Sequence, residues 1–312
     1  MSFSLKSFSL TLALALTPAL GLSTSVQAAQ DQPVQVVTTI SILADMVRQV
    51  GGSNVDVKSL VGPGGDAHVY QPTPADAQTI AQAQVVVENG LGLEGWIDRL
   101  IQASGTKAQI VIASTAVKPQ TMEDEDQKGP DGKPKVITDP HAWQNLANGS
   151  LYAQAIGDAL AKVDPQHADS YHSRASAYSQ KIMDLDAQVR EQIKSVPQAK
   201  RKIITTHDAF GYFGRAYGIT FLAPEGISTD SEPTAAAMGK LADQIKREHI
   251  KALFLENMTD PRLLQTLAKE AHATIGATVY SDSLSPQDGP APTYLDMFRH
   301  NVPAFVAAMK SN

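Results

Sequence analysis

The chain is predicted to be an α/β protein of two lobes, each a mostly parallel sheet flanked by helices, joined by a long rigid spine helix. Two observations predict this. Short β-branched runs alternate with amphipathic segments in both halves of the chain, the pattern of strand–helix–strand units. Between the halves, residues 166–197 read as one long helix with few apolar positions for its length, which fits a connecting spine better than a core helix.

In order, Val34–Ile40 reads as a buried strand, followed by the helical SILADMVRQV and a Gly51-Gly52 stop. Val55–Val61 is a second strand, and Pro74–Ala83 a helix for which Thr73 is the N-cap. Val85–Glu88, Gly95–Gln102 and Ala108–Ser114 continue the alternation as strand, helix and strand. Residues 119–135 (PQTMEDEDQKGPDGKPK) carry acids, lysines, Pro and Gly with almost no apolar content, and read as a mobile acidic loop. Leu146–Val163 is helical. After the spine, strands are expected at Lys202–Thr206, Thr220–Ala223, Ala252–Leu255 and Thr274–Tyr280. Helices are expected at Phe210–Tyr217, Thr234–Glu248, Pro261–Ala273 and Leu295–Met309. The resulting division is a leader at 1–28, an N-terminal lobe at 29–165, the spine at 166–197 and a C-terminal lobe at 198–312. No internal repeat stands out.

The first 28 residues pair Lys6 with an apolar run from Leu10 to Leu22 and end in Val26-Gln27-Ala28. This is the layout of a cleavable signal peptide, and the run is too short to span a bilayer. Its removal, which takes away one Lys and no acid, shifts the net charge from −6 to −7. The sequence contains no cysteine, which excludes disulfides, a thiolate zinc site and a lipid anchor on an N-terminal Cys. The expected location is therefore the periplasm, without a lipid anchor. No basic patch or Arg-rich run suits nucleic acid or an anionic membrane surface.

In open α/β sheets ligands gather beyond the carboxyl ends of strands. His68 follows the second strand after a GPGGDA turn, His207 directly follows KIITT, and Asp282 follows TIGATVYS. His141 stands in TDPHAW, after the acidic loop. Any one of these has an ordinary reading as a solvated histidine or a turn-forming Asp. His167 and His172, five apart on a polar helix, do not share a face. With His249, His272 and His300, they are read as surface residues.

Four blocks taken together are more specific: DAHVYQPTPADAQTIAQAQVVVENGLGLEGW around His68, TDPHAWQN around His141, THDAFGYFGRAYG around His207 and VYSDSLS around Asp282. In these the chain resembles the zinc and manganese solute-binding proteins of ABC importers (cluster A-I), with similarity of order and texture from Val34 to Ala308. The resemblance implies a two-lobed fold with one interlobe metal site in which His68, His141, His207 and Asp282 occupy the ligand positions. It also implies delivery of the ion to an ABC permease/ATPase complex in the inner membrane, with a monomeric carrier and a metallochaperone left open as a further partner.

Three imidazoles and one carboxylate suit four-coordinate Zn²⁺, whereas manganese prefers more and harder oxygen donors. Manganese members of the family typically present Glu at the third position, where this chain has His207. Zn(II) is thus the expected transport substrate, and a manganese- or iron-specific carrier the alternative. Zinc members often carry a His-rich loop ahead of the second block, but residues 119–135 hold no histidine. Asp208 and Glu256 are candidates for orienting an imidazole from behind. A secreted zinc hydrolase would need an open coordination position, and HExxH and G-x-S-x-G motifs are absent. A carrier of organic solutes would need aromatic platforms, for which only Trp96 and Trp143 are available. A metal-dependent adhesin is the third rival, disfavoured by the missing lipid anchor.

Overall fold

The structure is a computed structural model that describes residues 1, 2, 4, 32–128, 130–230 and 233–312. The proposed leader falls almost wholly outside the described residues. Pro33–Asn312 forms one compact unit. No described helix is long and apolar enough to cross a membrane.

The first sheet is parallel, in the order β2-β1-β3-β4, from β1 (Val34–Thr38), β2 (Val55–Ser59), β3 (Val85–Glu88) and β4 (Gln109–Ile112). Its central strands are near-continuous apolar runs because both sheet faces are covered, and β3 is buried at all four positions. Between the strands lie α1 (Ser41–Gly51), α2 (Pro74–Ala81) and α3 (Ile97–Ser104). Thr73 caps α2 as expected, in a reciprocal capping box with Asp76.

Residues 119–135 are not a loop. β5 (Gln120–Lys128) and β6 (Pro134–Asp139) form an antiparallel hairpin with Met122 opposite Ile137 and Gln120 opposite Asp139. The charge run concealed the Val136-Ile137-Thr138 strand that closes it. Tyr212 pins the hairpin base: its hydroxyl accepts the Gln120 backbone N–H at 2.9 Å and donates to the Asp139 carbonyl at 3.3 Å.

α4 (Leu146–Val163) packs along α5 (Ala168–Lys194), the long helix. Its interior role exceeds that of a bare spine. Tyr171, Ala175, Tyr178, Ile182, Leu185, Val189 and Ile193 form a buried stripe at three- and four-residue spacing, so it is a core helix with one wet face.

In the second half β7 (Lys202–Ile204) and β8 (Thr220–Leu222) pair in parallel, around α6 (Gly211–Tyr217). The strands expected at 252–255 and 274–280 survive only as isolated parallel bridges, Ile204 to Leu253, Leu253 to Ile275 and Glu256 to Val279. They extend the sheet edgewise beneath α7 (Ala235–Glu248) and α8 (Pro261–Ala271), whose apolar faces share a second core cluster with Ile204 and Leu253. α9 (Tyr294–Ser311) closes the molecule, and its Phe305 ring meets Phe210, Phe213, Phe221 and Phe254 at centroid distances of 5.2–5.7 Å.

Gly149 in α4 lets Tyr294 pass against the helix backbone. A Cβ there would run into the Tyr294 ring and hydroxyl, and that hydroxyl donates to the Trp143 carbonyl at 2.6 Å. Gly149→Ala is therefore expected to destabilise the chain by about 1–3 kcal/mol, as overpacking does, measured by urea unfolding.

Candidate metal centre

Four loops bring the sequence-predicted residues together. His68 comes from the segment after β2, His141 from the end of the hairpin, His207 from the turn after β7, and Asp282 from the segment after the Val279 bridge. His141 and His207 are fully buried and Asp282 is 1% exposed, while the His68 side chain is 4% exposed. One donor atom from each lies within 4.8 Å of all the others.

The closest approaches are 3.3 Å between His68 Nε2 and His141 Nε2, 3.2 Å from Asp282 Oδ2 to both His68 Nε2 and His207 Nε2, and 3.6 Å to His141 Nε2. Donors at ordinary zinc distances stand about 3.3–3.6 Å apart at the corners of a tetrahedron. Both Asp282 oxygens and both His207 ring nitrogens are buried without a hydrogen-bond partner of good geometry despite these approaches. Leaving such atoms unpaired costs about 1–3 kcal/mol each, and lone pairs aimed at a shared cation account for it. The donor set therefore fits a divalent ion.

Behind the imidazoles stand two carboxylates. Asp139 Oδ1 is 2.9 Å from His141 Nδ1 and accepts the His141 backbone N–H at 2.9 Å. Glu256 Oε2 is 2.7 Å from His207 Nδ1. Its Oε1 accepts the backbone N–H groups of Thr206 and His207, each at 2.9 Å, and its Oε2 the Ser281 hydroxyl at 2.5 Å. The first is a hydrogen bond and the second a close ion-pair approach, and with a carboxylate behind each Nδ1 the Nε2 atoms are left facing the centre. Glu256 thus stands where the sequence suggested. Asp208 does not: its backbone N–H donates to the Gly226 carbonyl, and the residue lines a separate cavity together with Glu225. Asp139 was missed, although Asp-Pro-His held the signal, an acid two residues ahead of a candidate ligand. The other five histidines stay apart from the cluster; His167 and His172 meet Asp164 and Asp158.

The loops brace one another. Trp143 Nε1 and Gln144 Nε2 both donate to the Ser281 carbonyl, at 2.9 and 2.8 Å, tying the His141 turn to Asp282. Burial alone would push the His141 imidazole down, but the Asp282 charge and the Asp139 hydrogen bond lift it to about 9. Burial likewise opposes the His207 imidazolium, and Glu256 followed by Asp282 holds it well above its ordinary value. Burial would raise the Asp282 carboxyl, yet His141 and His207 keep it well below the usual range. The metal-free site is therefore a proton-bearing cluster, and a cation must displace those protons.

A buried site of three imidazoles and a carboxylate beyond the strand ends of two parallel sheets defines a metal-ion-binding protein. The match to the family model "Zinc-uptake complex component A periplasmic" spans residues 36–308, and the chain belongs to that family, the metal-binding substrate-binding proteins of ABC transporters. It is similar to the manganese-binding lipoprotein MntA of Bacillus subtilis, with 33% identity over 285 residues, 90% of this chain and 91% of the relative. Among solved structures it resembles the periplasmic zinc binding protein TroA from Treponema pallidum, at TM-score 0.80 and 31% identity, covering 89% of this chain and 99% of that one. It also resembles the manganese-bound periplasmic metal binding protein of Candidatus Liberibacter asiaticus, at TM-score 0.76 and 29% identity, covering 88% and 99%. Members of this family are solute-binding transport proteins, not enzymes, and work with an ABC permease and ATPase.

Glu256→Gln keeps an acceptor for the backbone but weakens the hold on the His207 ring. It is expected to lower metal affinity about 10- to 100-fold, the usual effect of losing such a partner, read by chelator competition.

Proposed function

We propose that His68, His141, His207 and Asp282 hold one Zn²⁺ as transport substrate and that the protein carries it through the periplasm to the inner-membrane permease/ATPase complex. The observation that carries this reading is the donor set itself: three imidazole nitrogens and one carboxylate oxygen gathered within 4.8 Å of one another, four of their separations being 3.2–3.6 Å, near the edge of a zinc tetrahedron. Two ligands come from each side of α5, so the ion joins an N-terminal lobe (29–165) to a C-terminal lobe (198–312) across the 166–197 spine. The carrier acts as a monomer, freed of its leader after Ala28 and not lipid-anchored, since its sequence has no cysteine to acylate.

A manganese reading has its own support. Relatives include the manganese-binding MntA, and Asp282 offers two unengaged oxygens, so a bidentate carboxylate would give five donors. Harder ions prefer such oxygen-rich shells, and three imidazoles weigh towards zinc. Protein purified from the periplasm is expected to hold about one zinc per chain by mass spectrometry, and zinc should displace manganese when both are supplied. Manganese retained against equimolar zinc would overturn the specificity and leave the carrier role standing.

A further inference from the structure

The four donors differ in how they meet solvent. His141, His207 and Asp282 are buried, whereas His68 lines a cleft of about 470 Å³. The cleft is walled by the turn around Gly92, by Val136 and Ile137 of β6, and by Ile227, Ser228 and Asp230 of the 227–230 segment, on which Thr229 lies between two lining residues. An ion reaching the cluster through it meets His68 first, and water displacing a bound ion arrives by the same side.

Asp66, two residues before His68, is engaged through both carboxylate oxygens. Oδ1 accepts the His68 backbone N–H at 2.9 Å, and Oδ2 accepts the Thr229 hydroxyl at 2.6 Å. One carboxylate thus sets the backbone of the outermost donor and fastens the 227–230 wall to it. Other ties of the His68 segment lead elsewhere: the Gly64 N–H donates to Ser283 Oγ at 2.7 Å, and Trp96 Nε1 to the Ala67 carbonyl at 2.9 Å. They would hold His68 in place while the 227–230 wall swung clear.

We propose that this cleft is the ion's way in and out, and that the Asp66–Thr229 hydrogen bond is a clasp governing the rate of exchange. The inference rests on the reading that the four residues hold the ion, and deepens it by naming the residues that gate them. A clasp acts on the barrier rather than on the bound state, so its loss speeds uptake and release together. A charge-assisted hydrogen bond of this kind is worth about tenfold in an equilibrium or a rate.

The test is stopped-flow release of Zn²⁺ into excess chelator, with uptake rate and equilibrium affinity measured in parallel. Thr229→Val removes the hydroxyl at nearly constant shape. It should release zinc about tenfold faster, take it up faster by a similar factor, and keep its affinity within about threefold. Thr229→Ser restores the donor and should return to the wild-type rate, while Asp66→Asn, which loses the charge, should exchange faster than wild type. Wild-type release from Thr229→Val would overturn the clasp. So would faster release with unchanged uptake, which would make Thr229 a support of the bound state. Should Thr229→Val fail to fold, Asp66→Asn decides: a wild-type rate there overturns the proposal. A wild-type chain that binds no zinc in the initial titration defeats the site reading itself, separately from any rate.

Discussion

His207→Ala is expected to lower zinc affinity by two to three orders of magnitude while leaving the fold intact. A four-ligand zinc site in a small protein is worth about 10–16 kcal/mol in all, so one ligand carries about 3 kcal/mol, and every 1.4 kcal/mol is a factor of ten. His207 is the sharpest choice of the four. Its Nε2 is buried without a hydrogen-bond partner of good geometry and lies 3.2 Å from Asp282 Oδ2, at the centre of the cluster. Removing it also leaves Glu256 anchored by the Thr206 backbone and Ser281, which limits collateral damage. Chelator competition reads the affinity and circular dichroism the fold. An affinity within threefold of wild type would remove His207 from the site.

The second large effect is on pH. In the metal-free chain His141 is lifted to about 9 and His207 well above its ordinary value, so both carry protons at neutral pH. Binding must release them, and the apparent zinc affinity should fall by up to about a hundredfold per unit as pH drops from 8 to 6, tenfold for each displaced proton. This moves the sensitive window above the pH 6.5 that unperturbed histidines would set. Stability of the metal-free chain runs the other way. A raised imidazole pKa stabilises the fold fully below the unfolded value near 6.5, and that contribution is lost as pH rises through about 9. The depressed Asp282 carboxyl adds stability above its unfolded value, lost only as pH falls through its folded one. Thermal melting of the metal-free protein should therefore fall between pH 6.5 and 9 while zinc-loaded protein gains. Equal slopes with and without zinc would contradict the protonated cluster.

Much of this was legible along the chain because it is local. The β-branched runs 34–38, 55–59 and 85–88 became strands because a parallel sheet buried on both faces asks for little else. The four candidate ligands could be proposed from their motifs, but their convergence is tertiary, since His68 and Asp282 meet although they lie more than two hundred residues apart in the chain. Charge misled at 119–135, where acids hid a hairpin whose pairing rests on Met122 and Ile137. It also misled at α5, where polar residues on one face obscured the tyrosines buried on the other. The strands expected at 252–255 and 274–280 shrank to single bridges, because propensity does not say how long two segments stay parallel. Asp139 could have been found from Asp-Pro-His, whereas no spacing rule joins Asp66 to Thr229.

The binding of one zinc ion among three imidazoles and one carboxylate is tested most directly by X-ray absorption at the zinc edge, on protein loaded one-to-one. Four nitrogen and oxygen neighbours at about 2.0–2.1 Å are expected, with the outer-shell scattering of three imidazole rings, reduced to two rings in His207→Ala. A shell of five or six oxygens, or a spectrum unchanged by His207→Ala, would contradict it.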